Sequence, residues 1–110
     1  MKNISLRLVT ALSVLVFFSC NTDIRKIREG RSNYIDKEVT VEGTVSSAIP
    51  LSGIFELKQD NATIYVHTQN DLPNKDEKIT VKGIVKEKKI EYNGLQLINE
   101  VYIEEISREH

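Results

Sequence analysis

Cysteine occurs once in this chain, at position 20, and tryptophan does not occur at all. A single cysteine excludes an intrachain disulfide and a cysteine-rich metal site. Histidine is scarce too, with only His67 and His110, and a metal centre needs several ligands held together. No metal or other cofactor is therefore expected. Aromatic residues make up 6% of the chain, and 15 basic residues face 16 acidic ones. Broad binding of nucleic acid draws on a basic surface, and single strands also need aromatic platforms. Both are in short supply, which argues against nucleic acid as the partner. Long apolar runs are missing as well. The longest, Leu8 to Phe18, is interrupted by Thr10 and Ser13 and falls short of the about 20 residues that span a bilayer.

What that run does suit is the hydrophobic region of an export signal, with Lys2 and Arg7 as its positive start. It leads into Leu15-Val16-Phe17-Phe18-Ser19-Cys20. This stretch resembles the lipobox of bacterial lipoprotein precursors, in which an aliphatic residue and two small residues precede the cysteine. Ser19 fits the small position, while Phe17 and Phe18 are bulkier than the pattern. The resemblance implies that residues 1–19 are a lipoprotein signal peptide and that Cys20 is lipidated. It would then carry a diacylglyceryl group and an amide-linked fatty acid such as palmitate. Two or more chains make membrane anchoring stable. Asn21, rather than aspartate, follows the cysteine, as in lipoproteins sorted onward to an outer membrane. The expected location is thus the cell envelope, lipid-anchored to a membrane. Without Lys2 and Arg7, 13 basic residues face 16 acidic ones, a net charge of −3.

Residues 20–36 read as the lipidated cysteine, a tether and a short helix over 23–29. Ile24 and Ile27 would be its buried face, Asp23 its cap and Gly30 its stop. From Lys37 the pattern turns to strands. Val39, Val41 and Val45 alternate with polar residues, as do Phe55 and Leu57, then Ile64 and Val66, then Ile79, Val81 and Val85. Leu95, Leu97, Val101 and Ile103 fit a long last strand, with a phase break near Ile98-Asn99 that a bulge would explain. Pro50 with Gly53, Gln59-Asp60-Asn61, the polar run 69–76 and Asn93-Gly94 mark the loops. Leu72 would cap one barrel end. An internal echo relates Val39-Thr40-Val41-Glu42-Gly43-Thr44-Val45 to Ile79-Thr80-Val81-Lys82-Gly83-Ile84-Val85. Each glycine falls on the inward phase, which suits a sharp bend or close backbone approach. Five strands, two of them bent, are what a small closed barrel needs. The fold expected is all-β: a five-stranded barrel over 37–106 and a polar tail over 107–110.

The run Tyr34 to Val45, with Lys78 to Val85, resembles OB-fold proteins related to the tRNA-anticodon-binding-like family. The resemblance implies an OB fold and a binding face on the outer surface of the second and third strands, flanked by the loops between strands one and two and strands four and five. Carried onto this sequence, the face offers Glu56, Lys58, Tyr65 and His67, with Tyr92 at the rim. Glu56 or Lys58 is the expected cross-strand neighbour of His67. The region Val66 to Pro73 also resembles haem chaperones of cytochrome c maturation. Their haem histidine motif has no counterpart here, so no haem is expected.

Nothing suggests catalysis. Cys20 is assigned to lipid, the serines lack a histidine–aspartate partnership, and Glu104 and Glu105, adjacent in a strand, point to opposite faces. The expected function is a membrane-anchored, non-catalytic binding module for an envelope protein, peptide or glycan. The alternatives are an OB-fold binder of single-stranded nucleic acid and a structural lipoprotein whose 86–94 hairpin recruits an envelope complex.

Overall fold

A computed structural model describes residues 21–92 and 95–110, with side chains described outside positions 89–99. Residues 1–19, expected as a signal peptide, and Cys20 lie outside the described residues.

Two short helices precede five strands: α1 (Ile24–Glu29), α2 (Arg31–Tyr34), β1 (Glu38–Ile49), β2 (Ile54–Gln59), β3 (Ala62–His67), β4 (Lys78–Tyr92) and β5 (Leu95–Glu109). They close into a barrel in the order β1-β2-β3-β5-β4, with β3 and β5 parallel and every other neighbour antiparallel. The alternation read from the sequence matches the core. Val39, Val41, Val45, Phe55, Leu57, Ile64, Val66, Ile79, Val81, Val85, Val101 and Ile103 are all buried, joined by Ile24 and Ile27 from α1. The short helix forms where the sequence places it, although the Asp23 side chain makes no capping hydrogen bond. The turn of α2 was not foreseen. Its Tyr34, with Ile35 beyond it, packs partly buried against the core.

The two echoed segments turn out to be partners. Val41 pairs with Val81, Gly43 with Ile79 and Val39 with Gly83, so each glycine sits opposite a branched residue of the other segment. Both glycines are close-approach positions. A Cβ on Gly83 would lie 2.4 Å from the Glu104 carbonyl oxygen, and one on Gly43 would lie 2.7 Å from that of Lys58. Strands β2 and β5 cross the bends of β1 and β4 at these points.

The barrel wall has a seam beside the first half of β1. β1 pairs with β2 only from Thr44 onward, so its first half lacks a neighbour on that side. Residues just after Cys20 fill the gap. Asn21 bridges Thr40 in parallel, and the Thr22 N–H donates to the Thr40 carbonyl at 2.7 Å. Gln59, expected as turn, is the last residue of β2 and staples this seam. Its amide nitrogen donates to the Glu42 carbonyl at 2.8 Å and its oxygen accepts from the Ile24 N–H at 3.1 Å.

The opposite end is closed by the loop between β3 and β4. Leu72 packs against the core as expected and Pro73 is buried beside it. Residues 107–109, expected as a polar tail, instead continue β5 and pair with Lys82, Val81 and Thr80. A bulge at Ile106, between the Gly83–Glu105 and Lys82–Ser107 pairs, shifts the phase and leaves Ile106 half exposed. This hides the strand from a strict alternation reading. A second bulge leaves Leu97 unpaired, between the Ile90–Ile98 and Glu91–Gln96 pairs, one residue from the predicted phase break.

The β5 extension delivers Arg108 to a buried polar cluster. Its guanidinium donates to both oxygens of Glu105 at 2.9 Å and to the Thr68 hydroxyl at 3.0 Å, and lies 5.2 Å from the Phe55 ring centroid. The Glu105 side chain is fully buried. Burial alone would raise its pKa. Hydrogen bonds from Arg108, Thr68 and Asn70, with the Arg108 charge, outweigh burial and hold it below the ordinary value of 4.5.

Candidate functional site: a tyrosine-lined groove

Strands β2, β3, β5 and β4 turn one continuous outer face to solvent. Register aligns two rows across it. One row runs Glu56, Tyr65, Tyr102, Lys86; the other runs Ile54, His67, Glu104, Ile84. Adjacent strands lie about 4.8 Å apart, so Tyr65 and Tyr102 are cross-strand neighbours on this face. A groove of about 520 Å³ opens over them. Its lining includes Ser52, Ile54, Tyr65, His67, Glu87, Lys88 and Tyr102. Its two ends are the loop after β1 and the outer part of the β4–β5 hairpin.

Several of the charges around the groove are compensated in place, while Lys88 is exposed on its lining. His67 Nδ1 lies 2.9 Å from both oxygens of Glu104. A carboxylate only accepts, so the proton sits on Nδ1 and Nε2 is turned toward the loop at Gly53. Lys86 binds Asp36 at 3.0 Å, and this hydrogen bond and charge raise its pKa. The Ser46 hydroxyl donates to Glu56 at 2.6 Å. Ser46 is the extra residue of a bulge opposite Glu56, between the Val45–Leu57 and Ser47–Glu56 pairs. Arg28 of α1 donates to the Thr63 carbonyl at 3.3 Å and lies 3.9 Å from Glu100. What remains for a ligand is Ile54, two phenol rings and the polar rim.

Of the residues predicted for the face, Tyr65 and His67 line the groove. Glu56 stands beside Tyr65 in the same row, with its carboxylate turned to Ser46. Lys58 is exposed and pairs with Thr63 and Thr44, away from the groove lining. Tyr92 pairs with Leu95 at the hairpin end, and its side chain lies outside those described. The neighbour of His67 on β2 is Ile54, and its ionic partner is Glu104, in place of the Glu56 or Lys58 expected. The reason is the parallel β3–β5 pairing, which brings the last strand beside the third. Tyr102 and Glu104 were missed for the same reason. Their outward phase follows from buried Val101 and Ile103, but only the strand order puts them next to Tyr65 and His67.

Among the described residues, no group of three potential metal ligands comes together, and no helix is long and apolar enough to cross a membrane.

A closed five-stranded barrel in the order β1-β2-β3-β5-β4, with a groove over β2 and β3, is an OB fold. Solved structures agree. A protein described as an aspartyl-tRNA synthetase from Leishmania major Friedlin superposes with a TM-score of 0.63 at 9% identity, over 80% of this chain and 20% of that one. The chain thus spans a fifth of the synthetase. The hypothetical protein ygiW from E. coli superposes with a TM-score of 0.55 at 18% identity, over 81% of this chain and 87% of its own. At these identities the likeness is one of fold. No family model and no curated protein matches the chain.

Proposed function

We propose that this chain is a lipoprotein, held in the cell envelope through Cys20 and sorted to the outer membrane, whose OB barrel is a non-catalytic binding module. The ligand class is a peptide, protein segment or glycan. The observation that carries this reading is the Tyr65–Tyr102 pair beside Ile54, where His67 and Lys86 are already paired with Glu104 and Asp36 and Lys88 stands at the rim. Phenol rings present large, rigid amphipathic area. They suit the flat face of a sugar or an apolar side chain, with the rim supplying hydrogen bonds. The test is photo-crosslinking of the full chain in its native envelope, with the crosslinker placed at Tyr102 or at Lys58. Position 102 should capture a peptide or glycan and position 58 should not. Equal capture at both positions would remove the groove assignment.

A second reading has one observation in its favour. Two adjacent aromatics could stack two bases of a single strand, where the sequence promised one certain platform. The net charge of the chain after Cys20 and the pairing of Arg28, His67 and Lys86 with acidic groups oppose it. Anisotropy with a labelled oligothymidine at low salt should show no binding. Binding that weakens steeply with salt would put this reading first.

A further inference from the structure

We infer that the barrel is seated directly on the membrane surface by its helical layer, with no flexible tether between lipid and fold. This inference rests on the reading of Cys20 as the lipidated residue.

The chain is committed to the barrel one residue after the anchor. Asn21 bridges Thr40, the Thr22 N–H bonds the Thr40 carbonyl, and the Ile24 N–H bonds the Gln59 side chain. Ile24 and Ile27 then lock α1 into the core with no exposed surface. One residue reaches at most about 3.6 Å. A flexible linker of ten residues, by contrast, has a root-mean-square span of about 18 Å. The seam of the barrel where β1 lacks β2 must therefore lie at the headgroups.

Residues 21–37 carry five basic and three acidic side chains, a net charge of +2, whereas residues 38–110 carry eight basic and thirteen acidic ones, a net charge of −5. Arg25, Lys26 and Lys37 are exposed, and so are Asp23, Glu29 and Asp36, so the outer face of the helical layer is balanced in charge while the remainder of the chain is acidic. Lipid and helical layer thus act at one end of the barrel. The loop between β3 and β4, bonded to Val45 beyond Gly43 of β1, is held away.

The test uses the full lipidated chain in vesicles of neutral lipid with phosphatidylglycerol and a headgroup energy acceptor. A donor dye is placed on Ser32→Cys in the helical layer or on Lys75→Cys in the β3–β4 loop. Both positions are exposed, and a lipidated Cys20 has no free thiol to react. Transfer should be strong from position 32 and weak from position 75. Ten Gly/Ser residues inserted between Cys20 and Asn21 should level the two signals. Equal transfer from both positions in the parent chain would overturn the seated orientation. A fatty-acid probe on the same sample keeps the two readings apart. Label on Cys20 with equal transfer sinks only the seating, whereas absence of label sinks the anchor itself.

Discussion

At the scale of single residues, the protein depends on contacts that leave no room for substitution. Arg108 and Glu105 are three apart, yet they meet in a strand because the Ile106 bulge lies between them. Removing one partner of a buried pair leaves an uncompensated charge. Arg108→Met should therefore destabilise the barrel by about 3 kcal/mol at neutral pH, read by denaturant unfolding. The pH dependence has a definite sign. In the parent, Glu105 has a lowered native pKa, so its contribution is complete above 4.5 and fades as pH falls through that lowered value. In the variant burial is opposed only by the Thr68 and Asn70 hydrogen bonds, so the native pKa rises relative to the parent and the deficit should shrink as pH approaches 4. A deficit independent of pH would show that packing on Phe55, rather than charge, is what Arg108 supplies. Gly83→Ala is the sharper steric case, since its Cβ would meet a backbone oxygen. It should lower stability by about 3 kcal/mol, measurable as a fall in Tm. The pair of glycines was legible in the sequence as an inward-phase repeat. The ion pair was not, because a bulge erases the alternation that would have announced the strand.

At the scale of elements, periodicity gave away β1 to β4 and the short α1, since each buries one face in a fixed phase. It could not reveal which strand lies beside which. The groove is a product of adjacency: Tyr65 belongs to β3 and Tyr102 to β5, and 36 intervening residues separate them. Half the candidate site was therefore legible, through Tyr65 and His67, and half was concealed by the parallel pairing. Because the two rings stand on the outer face, Tyr65→Ala with Tyr102→Ala should abolish groove capture while changing stability by no more than about 1 kcal/mol. Thermal unfolding and crosslinking on the same preparation check both parts. A large loss of stability would mean that the rings hold the sheet together rather than await a ligand.

For the whole molecule, closure is the central fact, and it depends on residues before the first strand and on a side chain at the end of β2. The edge of β1 before Thr44 is covered by residues 21 and 22 and by the Gln59 amide. An uncovered strand edge is a template for pairing with another chain. Deleting residues 21 and 22, which leaves Ile24 and Ile27 in the core, should increase concentration-dependent self-association on size-exclusion chromatography. A monomeric, folded deletion variant would show that the β1 edge is protected by other means.

The echo between β1 and β4 has a consequence for assembly. Val39–Val45 and Ile79–Val85 meet antiparallel about the Val41–Val81 pair, with each glycine facing a branched residue. The same complementarity would hold if β1 met β1 of a second molecule, since Gly43 would then face Val39. One chain thus carries two copies of a nearly self-complementary key. Register alone does not tell the native partner from a stranger's strand. What favours the native partner is that it is joined to the same chain, at an effective concentration of about a millimolar or more, which free molecules rarely match.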